Sequence, residues 1–132
     1  MSKTSKLSAV IHCKCPQCRR GNIFTGSMYG FNLQRTNDNC SHCRQRFEIE
    51  PGYFYAAMYV SYAMNVGEML TLGILTFILS GGYLEFESFW LYITVIFSGC
   101  FVLAPFNYRY SRVILLHLLT PKLKYNAVYD QP

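Results

Sequence analysis

Residues 40–65 read CSHCRQRFEIEPGYFYAAMYVSYAMN, and this stretch decides the fold. A Cys-x-x-Cys pair opens it, a short charged segment leads to Glu50-Pro51-Gly52, and an apolar run follows with almost no linker. That order of residues predicts a metal knuckle joined directly to a membrane span.

Downstream of the joint, residues 56–80 and 87–107 are both apolar and exceed the about 20 helical residues that cross a hydrocarbon core. As helices they satisfy their own backbone groups, as lipid requires. The 132-residue chain carries a net charge of +5, and its cations avoid this centre. Residues 53–104 contain no Lys or Arg, and the connection between the runs is acidic, with Glu85 in the loop 81–86 and Glu87 at its end. The positive-inside rule therefore predicts a two-pass protein with both termini cytoplasmic. The N-terminal MSKTSKLSAVIHC has no apolar core of signal-peptide length, so the first span is expected to drive insertion. Juxtamembrane cations meet anionic headgroups, so the expected partners begin with membrane lipids and no nucleic acid is needed to explain the charge.

Upstream, Cys15-Pro-Gln-Cys18 matches Cys40-Ser-His-Cys43, with 21 residues between the pairs. This is the spacing of a four-cysteine zinc site, in which each Cys-x-x-Cys turn supplies two corners of a tetrahedron. A head of this size cannot bury a large core, and structural Zn2+ supplies the missing folding energy. Disulfides are disfavoured in a reducing cytoplasm, and a redox dithiol would not need a matched second pair. Cys13 reads as a spare thiol, because using it in place of Cys15 would make the knuckles unequal. His12 and His42 lie near the cluster, but four thiolates complete a site without them. Gly21 is expected to take a positive φ. Asn22–Phe24 and Phe47–Glu50 read as short strands, and Phe24, Phe31, Leu33, Phe47 and Ile49 as a minimal core. Together these describe a rubredoxin-like zinc ribbon.

Within the first apolar run, Ser61, Asn65 and Glu68 fall on one helical face. An acidic group at mid-membrane costs at least ~2.5 kcal/mol on insertion scales. The expected compensation is a polar contact across the hairpin to Thr94 or Ser98, themselves one turn apart; a proton or ion pathway is the functional alternative. Tyr53, Phe54, Tyr55, Tyr59 and Tyr62 form one aromatic belt, and Tyr83, Phe86, Phe89 and Trp90 the other. Cys100 reads as a small hydrophobe. Pro105 marks an end or a kink of the second span. Residues 106–119 then form an interfacial helix or a bent continuation, and 122–132 a mobile polar tail.

The fold expected is thus a small zinc-ribbon head over residues 1–52, an α-helical two-pass transmembrane hairpin over 53–107, and an interfacial C-terminal helix with a basic tail over 108–132. Glu50, Pro51 and Gly52 mark the membrane boundary, with Arg44 and Arg46 turned towards lipid phosphate.

CPQCRRGNIF, then CSHC, then EIEPGYFYAAMYVSYA resembles the bacterial membrane-protein family known as domain of unknown function 983. The resemblance covers roughly residues 13–110. It implies a zinc-ribbon head with metal ligands at Cys15, Cys18, Cys40 and Cys43, two transmembrane helices, an EPG-aromatic signature at Glu50 to Tyr53, and a place in the bacterial inner membrane. It implies no activity. No nucleophile–base pair stands out in the sequence, and a tetrathiolate site leaves no open metal position. The expected role is therefore a non-catalytic interaction or accessory module, with a protein partner in the membrane or a second copy. The alternatives are a small subunit or assembly factor of a larger membrane complex, respiratory for example, and a membrane-tethered thiol or metal-delivery factor.

Overall fold

A computed structural model describes residues 4–30, 35–82 and 85–130. Phe31, Leu33 and Tyr83, assigned above to core and belt, lie outside the described residues. A short helix α1 (Lys6–Ile11) precedes the cysteines. Strands β1 (Phe24–Thr25) and β2 (Arg35–Thr36) pair antiparallel, with Phe24 opposite Thr36 and Thr25 opposite Arg35. Helix α2 (Tyr55–Leu79) and helix α3 (Phe89–Ile114) follow as an antiparallel hairpin, and a π-helical turn over Leu115–Leu119 extends α3. Two helices are thus long and apolar enough to cross a membrane, with mean hydropathies of 1.5 and 1.9.

Local chemistry accounts for the ends of the hairpin. Tyr53 N–H bonds the Glu50 carbonyl, and the Glu48 carboxylate accepts from Gly52 N–H at 3.0 Å. Gly52 sits at φ 80°, and this turn launches α2. At the far end Gly81 and Gly82 adopt φ 78° and 80°. Gly82 N–H reaches back to the Phe77 carbonyl and Gly81 N–H to that of Ile78, the reciprocal pattern of a Schellman stop. Midway, a Cβ on Gly99 would overlap the Leu72 side chain, so a glycine there lets the two helices approach closely.

Most hairpin side chains face outward. Tyr59 is 81% exposed and Phe101 83%, so these apolar faces of the hairpin are left uncovered by the rest of the described chain. Pro105 forfeits one helical hydrogen bond, yet α3 continues past it for nine residues, to Ile114. The second apolar run is therefore longer than the 87–107 expected, and residues 108–119 continue it instead of forming a separate interfacial helix. Thr120 ends the element, its hydroxyl donating to the Leu115 carbonyl and pairing with the Tyr53 hydroxyl.

This continuation exists because the head needs it. Ile23, Phe24 and Phe47 pack in one core with Val113 and Leu116 from the end of α3 and with Leu123 beyond it. Tyr110 donates to the Ile11 carbonyl, the His117 ring bonds the Lys14 carbonyl at 2.7 Å, and Arg109 donates to the Gly26 carbonyl while lying over the Phe24 ring. The tail folds back as well. Asp130 pairs with Arg20 at 3.0 Å and accepts from Thr4 and Tyr125, and Asn126 N–H bonds the Gln17 carbonyl. Head, helix end and the described part of the tail therefore pack against one another across the expected boundaries at residues 52 and 107. Phe47–Glu50 is also not a strand. Its pairing stops at an isolated bridge between Asn39 and Arg46, because Phe47 turns inward to the core and Glu48 folds into the Gly52 turn.

Candidate metal centre

Both Cys-x-x-Cys segments fold as the same knuckle. The Arg19 N–H bonds the Cys15 carbonyl and the Arg44 N–H bonds the Cys40 carbonyl, at 2.9 and 3.0 Å. Arg19 and Arg44, each following the second cysteine, take matching positive φ values of 58° and 57°. The return strand closes each turn, Cys15 N–H to the Gly21 carbonyl and Cys40 N–H to the Gln45 carbonyl, both at 2.8 Å. These tight turns aim backbone N–H groups at sulfur: Gln17 and Cys18 at Cys15, Arg20 and Gly21 at Cys18, Gln45 at Cys43. Such donors favour thiolate and hold its orientation.

The two knuckles bring the sulfurs of Cys15, Cys18, Cys40 and Cys43 within 4.8 Å of one another, and the four could hold a metal ion. Cys15 and Cys43 sulfurs stand 3.7 Å apart, and those of Cys18 and Cys40 3.6 Å. An ion with metal–sulfur bonds of about 2.3 Å in a tetrahedron requires sulfur separations of about 3.8 Å. Cys15, Cys18 and Cys40 are buried, and Cys43 is half-buried beside the Gln17 amide. Burial drives the Cys15 thiol up and the Cys43 thiol up to about 11, the neighbouring sulfurs adding to both. At Cys18 burial acts in the same direction, but the Gly21 and Arg20 N–H groups and the Cys40 and Cys43 thiols outweigh it, so that group is lowered. A cation would relieve this crowding of thiols.

Gly21 matters here for a reason other than the positive φ expected of it. It is absent from the positive-φ positions, and a Cβ there would overlap the Cys40 sulfur. The glycine thus lets one knuckle lean on the ligand of the other. Cys13 stands outside the group of four; it is buried, and burial raises its thiol despite nearby Arg109. His12 and His42 are exposed and also stand outside.

The polar face of α2 finds a different partner from the one expected. Thr94 donates to the Trp90 carbonyl and Ser98 to the Thr94 carbonyl, each within its own helix on an exposed face, so neither hydroxyl reaches α2. Asn107, only 1% exposed, takes that place, donating to Asn65 at 2.6 Å and to the Glu68 carboxylate at 2.8 Å. Ser61 lies one turn nearer the head on the same groove. Asn107 was legible as a second asparagine in an apolar run, but it was read only as the end of a span. At the joint, Glu50 pairs with Lys122 at 3.1 Å, both side chains exposed.

The chain matches no family model, no curated protein and no solved structure.

Proposed function

We propose that this chain is a two-pass protein of the bacterial inner membrane, of the domain of unknown function 983 type that its motifs resemble. In this reading a zinc-ribbon head is seated on the cytoplasmic end of the second span and acts as a non-catalytic docking platform. The observation that carries it is the joint core: the four-sulfur cluster and the end of α3 are buried against each other through Ile23, Phe47, Val113 and Leu116.

Helix lengths support the seating. The 26 residues of α3 and the five of its π turn measure about 45 Å, against about 30 Å of hydrocarbon. Roughly 15 Å therefore extends past the hydrocarbon, through headgroup depth and beyond, and the core residues at the end of α3 fall in that overhang. Zinc is the metal best matched to a buried tetrathiolate with these sulfur separations. With all four positions taken, the ion would have a structural role. Positioned this way, the head presents a fixed surface at the membrane face and suits recognition of a partner, whether a separate protein or another subunit of a larger assembly. The metal-delivery reading needed Cys13 as an exchangeable ligand, and Cys13 stands apart from the cluster.

Purification in mild detergent with metal analysis of the same sample tests this. One zinc per chain, resistant to brief chelation, together with a defined co-purifying partner is expected. A folded, protease-resistant head without metal would overturn the zinc reading, and a lone monomer would overturn the platform.

A further inference from the structure

A groove of about 570 Å³ runs between α2 and α3, with Asn65 and Asn107, the two asparagines of the Glu68 cluster, in its wall. That volume lies in the range of about 300–1,000 Å³ over which proteins hold small ligands. Its lining is mostly apolar, with Val66, Met69 and Cys100 at the end remote from the head. Nearer the head, Phe54 and Met58 share the wall with Ser61 of α2 and with Ser111 and Arg112 of α3, so the charged group lies at that end alone.

Arg112 is the unusual member. Its guanidinium lies 3.7 Å from the Tyr108 ring and 5.5 Å from that of Phe54, and one terminal nitrogen donates to the Tyr108 carbonyl. Its Nε is buried without an acceptor, and among the described residues it has no carboxylate partner. No acidic side chain lines the groove. The Ser61 hydroxyl is likewise without a partner among the described residues. A fixed cation and a free hydroxyl thus stand towards the head end of a mostly apolar channel between the two helices.

We propose that this groove binds an anionic phospholipid of the cytoplasmic leaflet, with its phosphate at Arg112 and Ser61 and one acyl chain along Val66, Met69 and Cys100. The match is one of charge and of depth. Arg112 stands where the second apolar run meets the head, at headgroup level, and the apolar end of the groove lies at acyl-chain level. The lipid phosphate supplies the counter-charge that the protein withholds, and its chain covers the apolar wall. The ligand also ties the head to the bilayer through α3, a role the sequence had suggested for the exposed Arg44 and Arg46.

The inference rests on the membrane reading, and the test separates the two. Alkaline extraction of membranes containing the wild-type chain comes first: release of the chain overturns both readings. The full-length protein is then stripped of lipid in mild detergent and offered equimolar phosphatidylglycerol and phosphatidylcholine with identical acyl chains. Native mass spectrometry reads the bound lipid. Wild type should prefer phosphatidylglycerol about fivefold, the contribution of one well-placed cation. Arg112→Gln should lose that preference and Arg112→Lys should keep it, with zinc content unchanged in both. Ala104→Phe, which fills the groove, should lower retention of both lipids. Equal binding of the two lipids by wild type, or a preference that survives Arg112→Gln, overturns the groove proposal while leaving the membrane reading intact. If Ala104→Phe dissociates a dimer and leaves lipid retention unaltered, the occupant is a second copy and the proposal fails.

Discussion

The hairpin and the head of this molecule solve the same problem of marginal size with opposite means. Of the 25 residues in α2 only Ala57 and Thr76 are buried, and in α3 only Asn107, Ser111 and Val113. The hairpin is held by its own backbone hydrogen bonds, a glycine-sized approach at Gly99 and one buried polar cluster. The head instead concentrates its fully buried side chains (Phe47, Ile23, Cys15, Cys18, Cys40) in a small volume and borrows Val113 and Leu116 from the hairpin to finish. An element that exposes apolar surface along its length depends on an apolar solvent, whereas one that hides a few groups completely depends on each of them. The border between the two regions is thus set by packing and falls inside α3.

Cysteine replacement is the harshest test of that contrast. Cys15→Ser should abolish stoichiometric metal and collapse the head, removing a contribution on the order of 10–16 kcal/mol. Far-ultraviolet circular dichroism in detergent should retain the hairpin's helix while limited proteolysis cuts the head freely. A head that stays protease-resistant without metal would erase the distinction. Leu116→Ala probes the shared border. It lies in the π turn after α3 and is fully buried, so truncation should cost about 2–5 kcal/mol, read as a lower denaturant midpoint for metal release. An unchanged midpoint would mean that the head is independent of the helix.

Within the hairpin the expected effects are smaller. Asn107→Leu removes the donor shared by Asn65 and Glu68 and should destabilise the helix pair by about 0.6–2 kcal/mol in detergent unfolding, with metal content intact. Loss of metal in that variant would couple the regions more tightly than their packing implies. Asp130 sharpens the comparison at the tail. Hydrogen bonding from Tyr125 leads the effects that bring its carboxyl down to about 2, with Thr4 and Arg20 adding to it against burial. A folded-state value below the unfolded one stabilises above about pH 4, and that gain disappears as pH falls through about 2. Hydrogen exchange at the Asn126 amide should therefore be slower in wild type than in Asp130→Asn at neutral pH, with the difference shrinking across that interval. An equal difference at both ends would assign the effect to something other than this carboxylate.

The parts of the structure that could be read from sequence were those encoded locally. Two apolar runs, a glycine pair between them and two Cys-x-x-Cys turns each carry their meaning within a few residues, and they form two long helices, the turn that ends the first, and a four-sulfur cluster. What escaped depends on residues about 20 to a hundred positions apart. Val113 and Leu116 lie in residues 106–119, for which an interfacial helix is one expectation, yet Arg109 packs on Phe24 and Arg112 on Tyr108 while Val113 and Leu116 enter the core of the head. Asn107 was hidden for a related reason, since a polar residue near the end of an apolar run looks like a boundary until its partner is known. Gly21 was singled out correctly but for the wrong cause: close approach to a sulfur, which no local rule about turns reveals.

The shared core also constrains the order of assembly. Cys15, Cys18, Cys40 and Cys43 leave the ribosome first, but the side chains that seal them, Val113, Leu116 and Leu123, come 70 to 108 residues later. In a two-pass protein those late residues return to the side of the cysteines only if both spans have crossed in the right sense. A chain inserted with one span missing or reversed would strand them across the bilayer, leaving the thiols open and the head uncovered. In the proposed two-pass topology, closure of the head would thus report a correctly threaded hairpin, and an unsealed head would mark a misinserted chain for proteolysis.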